Sequence, residues 1–430
     1  MHRIVSSTIL AAACLAAVSG PARAAVKLTL QQAEQLALKN HPQVLAAQQE
    51  ASAMGRQIVE ARAPYYPLLA GDVTGSGANH DARLGAGFLT DSRLFNRFGQ
   101  GINVQQLITD SGRTPNLIAS AKYRAGAAQQ NYQATRYDVL LRVNQAYFDA
   151  LRAQATIKVA NETVAARQLI VDQVTALANN KLRSQLDVTF VDVSLSQAKL
   201  LLIQAQDQEQ EAFAQLTRAI GDERNTAYQL TDEPLPPSPQ PDAEQLVTQA
   251  LATRPELASL RMERDAAYRF ERAERDLSYP SVSLVAAGGF IPYINQTGLP
   301  SEYGGAAVNV HIPVFNGHLF TARREEAYDR ALEADQRVRD EEQVIARDVR
   351  TAWAGAAMAY QRLDVTAQLL RQATLSLSLA QGRYDLGLSS IVELTQAQLN
   401  LTQAEIQNLS AKYDYQNQYA ALQYTVGALR

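Results

Sequence analysis

A single cysteine and a single tryptophan stand among the 430 residues of this chain. The cysteine, Cys14, lies inside the apolar stretch Ile4 to Val18, which follows Arg3 and precedes Ala22-Arg23-Ala24. That order, a basic residue, a short apolar run and a small-x-small site, reads as a secretory signal over residues 1–24. Cleavage after Ala24 leaves a mature chain that begins at Ala25 and has no thiol, which excludes disulfides and thiol catalysis. Lipidation of Cys14 is the alternative, with Ala11-Ala12-Ala13 a poor lead-in to it. Basic excess is also missing. Forty Lys and Arg against 43 Asp and Glu give a formal charge of -3, with no footprint for nucleic acid. No second stretch is apolar enough to cross a bilayer as a helix, so any membrane contact of the mature chain is made by strands or at a surface.

Catalytic signatures are missing as well. No phosphate-binding glycine loop or nucleophile elbow occurs, and His41, His80, His311 and His318 lack metal-ligand spacing. No enzyme activity, cofactor or metal is therefore expected. With 47% hydrophobic and 19% charged residues the chain nevertheless folds.

The 15 prolines occur within 21–115, 234–255 and 280–313, and none in 116–233 or 314–430. These two proline-free segments are rich in Ala, Gln, Leu, Glu and Arg, and each reads as a pair of long helices. A helix from Thr114 to Asn179 would be about 100 Å long, far more than a globular core needs. Val188, Val191, Leu195, Ala198, Leu202 and Ala205 recur in alternating three- and four-residue steps, the seam of a coiled coil. Its alanines allow backbones to approach closely, which suits helices laid side by side in a wall.

The chain is duplicated. A shift of 206 residues lays Leu394, Ala397, Leu401, Ala404 and Ala411 over Val188, Val191, Leu195, Ala198 and Ala205, and pairs Tyr147 with Trp353 and Ile220-Gly221 with Val426-Gly427. Nearer the start the shift is 213, pairing His41-Pro42 with Arg254-Pro255 and Tyr66-Pro67 with Tyr279-Pro280, so the second copy has the shorter loop between these anchors. The organisation expected is a first repeat over 25–232, a stiff Pro-rich linker over 233–241 and a second repeat over 242–430. Tyr147 and Trp353 read as packing residues.

Each copy carries two strand-like segments, Leu68 to Gly77 with Gly99 to Leu107, and Ser281 to Phe290 with Gly305 to Ile312. Val308, Val310 and Ile312 alternate with Ala307, Asn309 and His311, giving one apolar and one polar face. At near ten residues the segments match tilted transmembrane strands, and two pairs per chain cannot close a barrel alone. Two soluble hairpins capping a helical bundle are the alternative.

Helix, strand pair and long helix pair, twice over, resemble the TolC-type outer-membrane efflux proteins. The residues that carry the resemblance are Leu36-Ala37-Leu38-Lys39-Asn40-His41-Pro42 and its repeat Ala250-Leu251-Ala252-Thr253-Arg254-Pro255, the turns Leu107 to Arg113 and Pro313 to Gly317, and Arg383-Tyr384-Asp385-Leu386-Gly387 ahead of Ile391-Val392-Glu393-Leu394. The resemblance implies a mainly α fold with a transmembrane β-barrel portion. Long antiparallel helices would form a trimeric α-barrel tunnel, with four strands per protomer contributing to a shared twelve-stranded barrel. It further implies an outer-membrane channel subunit with a periplasmic helical extension, a passive conduit for small molecules or proteins. Its partners would be two further copies of itself, a periplasmic adaptor, an inner-membrane pump or ABC transporter, and outer-membrane lipid. A periplasmic coiled-coil adaptor or scaffold is the alternative function.

Two sets of site residues follow from the resemblance. The helix tip Leu386-Gly387-Leu388 matches the family's adaptor-contacting tip, and the first copy has Lys181-Leu182 there, without glycine. The family's acidic aperture ring falls near Glu393, and the 206-residue shift places Asp187 at the equivalent position; a ring of such carboxylates attracts cations. The family's second acidic ring position matches Gln396, so that constriction carries less charge. Ordinary solvated helix residues are the alternative reading of both acids.

Overall fold

The computed structural model describes residues 26–77, 96–223, 226, 228–294, 298 and 300–429. The expected signal at 1–24, with Cys14, lies outside them, as does His80. The chain opens with β1 (Val26–Leu28), α1 (Leu30–Asn40) and α2 (Pro42–Arg62), then β2 (Leu68–Ser76), β3 (Arg97–Thr109), α3 (Arg113–Asn179) and α4 (Gln185–Ile220). After β4 (Tyr228–Leu230) the order returns as α5 (Ala243–Thr253), α6 (Pro255–Arg275), β5 (Ser281–Ile294), β6 (Glu302–His311), α7 (Leu319–Asp385) and α8 (Ile391–Thr425). The gap from Ser76 to Arg97 is longer than that from Ile294 to Glu302, as the change of shift requires.

Helices α3 and α7 each run 67 residues, about 100 Å at 1.5 Å per residue. No proline interrupts either beyond its first turn. Each begins from a left-handed turn, Ser111-Gly112 at φ 58° and 110°, and Gly317-His318 at φ 62° and 67°. Such a turn reverses the chain sharply from strand into helix, and a Cβ on Gly112 would meet the Asp276 carboxylate at 3.1 Å. Shorter helices complete the wall. α2 and α6 pack beside the sheet-proximal parts of α3 and α7, while α4 and α8 return antiparallel along their far parts.

Three apolar clusters hold the wall. Two lie at its middle, and equivalent residues build them: Val139, Val143, Ala150, Leu216 and Ile220 in one, and Ile345, Val349, Ala356, Leu422 and Val426 in the other. Each of these pairs is again 206 apart, so the two clusters are built on one spacing. The third cluster, at the far end, joins all four long helices through Ile170, Val174, Val188, Leu394 and Tyr384. The expected seam is buried at Val188, Val191, Leu195, Ala198 and Ala205. Leu202, in contrast, is half-buried.

Tyr147 is fully buried and its hydroxyl lies 2.9 Å from the Leu28 carbonyl and 2.7 Å from that of Thr231. It thereby ties the parallel pair β1 and β4 to α3. Burial pushes this hydroxyl up to about 12. Trp353 does the equivalent job on α7, donating its indole N–H to the Gln240 carbonyl at 2.7 Å. Tyr415 donates to the Pro237 carbonyl and Gln416 to that of Glu233. The Pro-rich segment is therefore extended but strapped to the helices, not a free spacer.

The strands form one antiparallel sheet in the order β2-β3-β5-β6. Register places Leu69, Val73, Ile102, Val104, Leu284, Val308 and Val310 on one face, and Asp72, Asn103, Gln105, Ser283, Asn309 and His311 on the other. The apolar face is open: Leu69, Val73 and Val308 are each more than 60% exposed. Both edges, β2 and β6, lack a partner strand among the described residues. Glycines let the polar face pack closely. Tyr303 lies over Gly101 and Gly289, where an added Cβ would meet its hydroxyl at 2.1 and 2.6 Å.

Candidate functional site: the helix tips and the aperture helices

The far end of the molecule consists of two helix reversals, each built by the same hydrogen bonds. In the second, Gly387 adopts φ 73°, its N–H donates to the Tyr384 carbonyl at 3.0 Å, and the Leu388 N–H reaches back to the Arg383 carbonyl at 2.8 Å. In the first, Lys181 adopts φ 60°, its N–H donates to the Ala178 carbonyl at 2.9 Å, and the Leu182 N–H reaches the Leu177 carbonyl at 2.9 Å. Both are the left-handed closure that caps helix C-termini. Lacking glycine has not changed the turn; Lys181 takes up the left-handed conformation, at a steric cost that glycine avoids. Leu182, Leu386 and Leu388 project with 70%, 76% and 66% of their surface exposed. Exposed leucines on a hydrogen-bonded turn form an apolar rim that is fixed in place.

The tips are bound to each other. Arg183 lies over the Tyr384 ring at 4.5 Å, a cation-π contact between the first reversal and the second helix pair. Burial raises the Tyr384 hydroxyl above its usual value, with Arg183 acting against it.

Helices α4 and α8 start just beyond the tips, and each has its acid at the third helical position. Asp187 completes a reciprocal cap: its N–H donates to the Ser184 Oγ at 3.2 Å and its carboxylate accepts the Ser184 N–H at 3.2 Å. Glu393 donates its N–H to the Ser390 Oγ at 3.4 Å, and its carboxylate pairs with Arg383 at 3.2 Å. Within the protomer, then, Asp187 serves its own helix start and Glu393 has a cationic partner. Gln396 is exposed and donates to Asn400 at 3.0 Å. It borders a groove of about 430 Å³ between α4 and α8, floored by α3.

Residues given no role from sequence complete this end: Ser184 and Ser390 as helix caps, Arg183 and Arg383 as partners of Tyr384 and Glu393, and Arg167 in the groove floor. Arg167 had a signal. It falls in step with Ala160, Thr163, Ile170 and Val174 on the inward stripe of α3, where a charge is out of place.

The family model for outer membrane efflux proteins matches residues 33–222 and 246–428. The chain belongs to the outer membrane efflux protein family. As such it is an outer-membrane channel component, and the reading as a periplasmic adaptor or scaffold is set aside. Among relatives, the alkaline protease secretion protein AprF of Pseudomonas aeruginosa is 27% identical over 92% of this chain and 83% of its own length. Protein CyaE of Bordetella pertussis is 24% identical over 86% and 78%, and the outer membrane protein TolC of Escherichia coli 23% identical over 90% and 79%. The fold superposes on the CmeC outer membrane channel of Campylobacter jejuni with a TM-score of 0.81 at 18% identity, over 93% of this chain and 85% of that one. That likeness shows a helical tunnel joined to a β-barrel portion, the architecture expected from the sequence.

Proposed function

We propose that three copies of this chain form one conduit across the outer membrane and periplasm, serving a tripartite efflux or type I secretion system. The observation that carries this is the four-stranded sheet with two unpaired edges and an exposed apolar face. In lipid an open edge leaves backbone groups unsatisfied, and four strands enclose no lumen. Joining β6 of one copy to β2 of the next satisfies every edge, places the valine and leucine face against lipid and turns Asp72, Asn103 and Asn309 toward a watery interior. The long helices then continue that interior into the periplasm. Residues 1–24 act as an export signal, and the two repeats over 25–232 and 242–430 supply equivalent halves of the wall.

Movement through such a tunnel needs no chemistry from the chain itself, so it works as a passive conduit and not as an enzyme. Energy comes from an inner-membrane pump or ABC transporter, linked by an adaptor that grips the rim of Leu386, Gly387, Leu388 and Leu182, with Lys181 at the first tip. Glu393 and Asp187 make the aperture attractive to cations, and Gln396 leaves the next constriction weakly charged. AprF, named for protease secretion, and the family, named for efflux, fit one conduit with different transporters.

Gly387→Asp tests the docking surface, because it adds a charge and a side chain at a φ of 73° in the middle of the rim. Export is expected to fall by more than about tenfold, which is what losing about 1.4 kcal/mol or more of docking energy amounts to, while trimers assemble normally. Undiminished export by that variant would overturn the tip assignment.

A further inference from the structure

The groove between α4 and α8 contains a guanidinium that the fold does not use. Arg167 is 6% exposed, and its Nη1 is buried without a hydrogen-bond partner among the described residues. Burial pulls its pKa down to about 10. A buried cation with no counter-charge is costly, and natural folds pair such groups or do without them. The second copy shows that this one is dispensable to the architecture. The residue 206 positions on is Ala373, itself buried at 7%, at the same place on α7. The wall thus packs with a methyl group where the first copy spends a guanidinium.

Around Arg167 the groove is two-natured. Its walls are Phe190, Val193 and Leu201 from α4 and Val392, Leu399 and Ile406 from α8. Exposed Gln197 and Gln403 add amides to the lining, and Thr163 and Thr402 approach each other at 3.5 Å. A volume of about 430 Å³ lies within the range of small-molecule sites. One deep cation under an apolar mouth selects a molecule with one anionic head and an apolar body.

We propose that this groove binds amphipathic monocarboxylates, the carboxylate seated on Arg167 and the apolar body between α4 and α8. A planar carboxylate can accept N–H bonds from a guanidinium, and one seated on Arg167 would supply the missing charge. The apolar walls supply the remaining affinity by burial. The site is formed within one protomer and its existence does not depend on which transporter, or which cargo class, the channel serves.

The probe is 1-naphthoate, with 1-naphthamide as its neutral counterpart, titrated calorimetrically into the full-length protein held in lipid nanodiscs. Saturable binding of naphthoate at one site per protomer is expected, with naphthamide weaker by about tenfold or more, the usual consequence of losing a charge-assisted pair. Arg167→Gln should reduce naphthoate affinity by a similar factor and leave naphthamide unchanged, while Arg167→Lys should retain part of it. Arg167→Ala copies the residue of the other half, so the protein is expected to assemble normally with the site lost. Equal affinity for the two probes, or an Arg167→Gln protein that binds naphthoate as the parent does, would overturn the proposal. So would absence of naphthoate binding together with weakened assembly in Arg167→Gln, because the groove would then be filled by a carboxylate from a neighbouring copy. Failure of the conduit reading would appear elsewhere, as a protein that does not conduct yet still binds naphthoate.

Discussion

His41 and Arg254 occupy the same place in the two halves, at the junction of the paired short helices, and solve the junction with different chemistry. His41 begins α2, its Nδ1 accepting the Gln43 N–H at 3.2 Å. Arg254 is buried against Tyr424 at 5.5 Å and pairs with Glu256 at 3.2 Å. Burial, then Arg142 and Arg218, hold the imidazole below its usual 6.5. An unfolded chain therefore takes up a proton below about 6.5 that the fold excludes, so the stability supplied by neutral His41 is complete above that pH and is lost as pH falls through the window beneath it. His41→Asn keeps a cap acceptor and cannot titrate. Unfolding midpoints measured from pH 7.5 to 5.5 should decline less steeply for His41→Asn than for the parent, and parallel curves would contradict the assignment. At this scale the sequence is only partly legible. Tyr147 and Trp353 could be matched by the shift and read as packing residues. Their anchoring of β1, β4 and the Pro-rich strap could not, because the carbonyls they reach are 84 and 113 residues away, at Thr231 and Gln240.

Among elements, the helix starts beyond the tips explain why aperture residues are difficult to identify from sequence. Asp187 and Glu393 stand at the third position of their helices, where an acid stabilises the start whether or not it faces a pore. Their repeat equivalence thus has a local cause as well as the one proposed for the aperture, and Arg383, the pairing partner of Glu393, is ten residues earlier across the reversal. Replacing the pair as Asp187→Asn and Glu393→Gln keeps the cap acceptor at 187 and loses only an exposed ion pair at 393, so helix stability should change by less than about 0.5 kcal/mol. Reversal potentials in asymmetric salt should move toward anions and block by divalent cations should weaken. Arg383→Gln, by releasing the Glu393 charge, should move them the other way. Unaltered selectivity in both variants would mean that these carboxylates lie outside the ion path. The turns themselves were legible where glycine marked them, at Gly112, Gly317 and Gly387. At Lys181 no residue type announced the left-handed turn, which follows instead from the four-helix cluster of Val174, Val188, Tyr384 and Leu394 that holds the two tips level.

Over the whole molecule, the duplication rests on many weak matches at spacings of 206 and 213, and the two mid-wall clusters share five residue pairs at the first of these. The sheet was legible as segments with two faces, yet its order was not: pairing β3 with β5 across the repeats joins Val104 to Ala286, far apart in the chain, and a period-two pattern carries no information about partners. That cross-repeat pairing is what leaves β2 and β6 as the free edges. The proposed conduit depends on those edges being closed by further copies, because the described part of a single protomer has an apolar face for lipid but no enclosed path. Light scattering of the detergent-solubilised protein, with the detergent contribution subtracted, measures this directly. A protein mass three times that of the 47.0 kDa chain, less any residues removed on export, is expected. A monodisperse species with the mass of one chain that still conducts ions in a planar bilayer would contradict it.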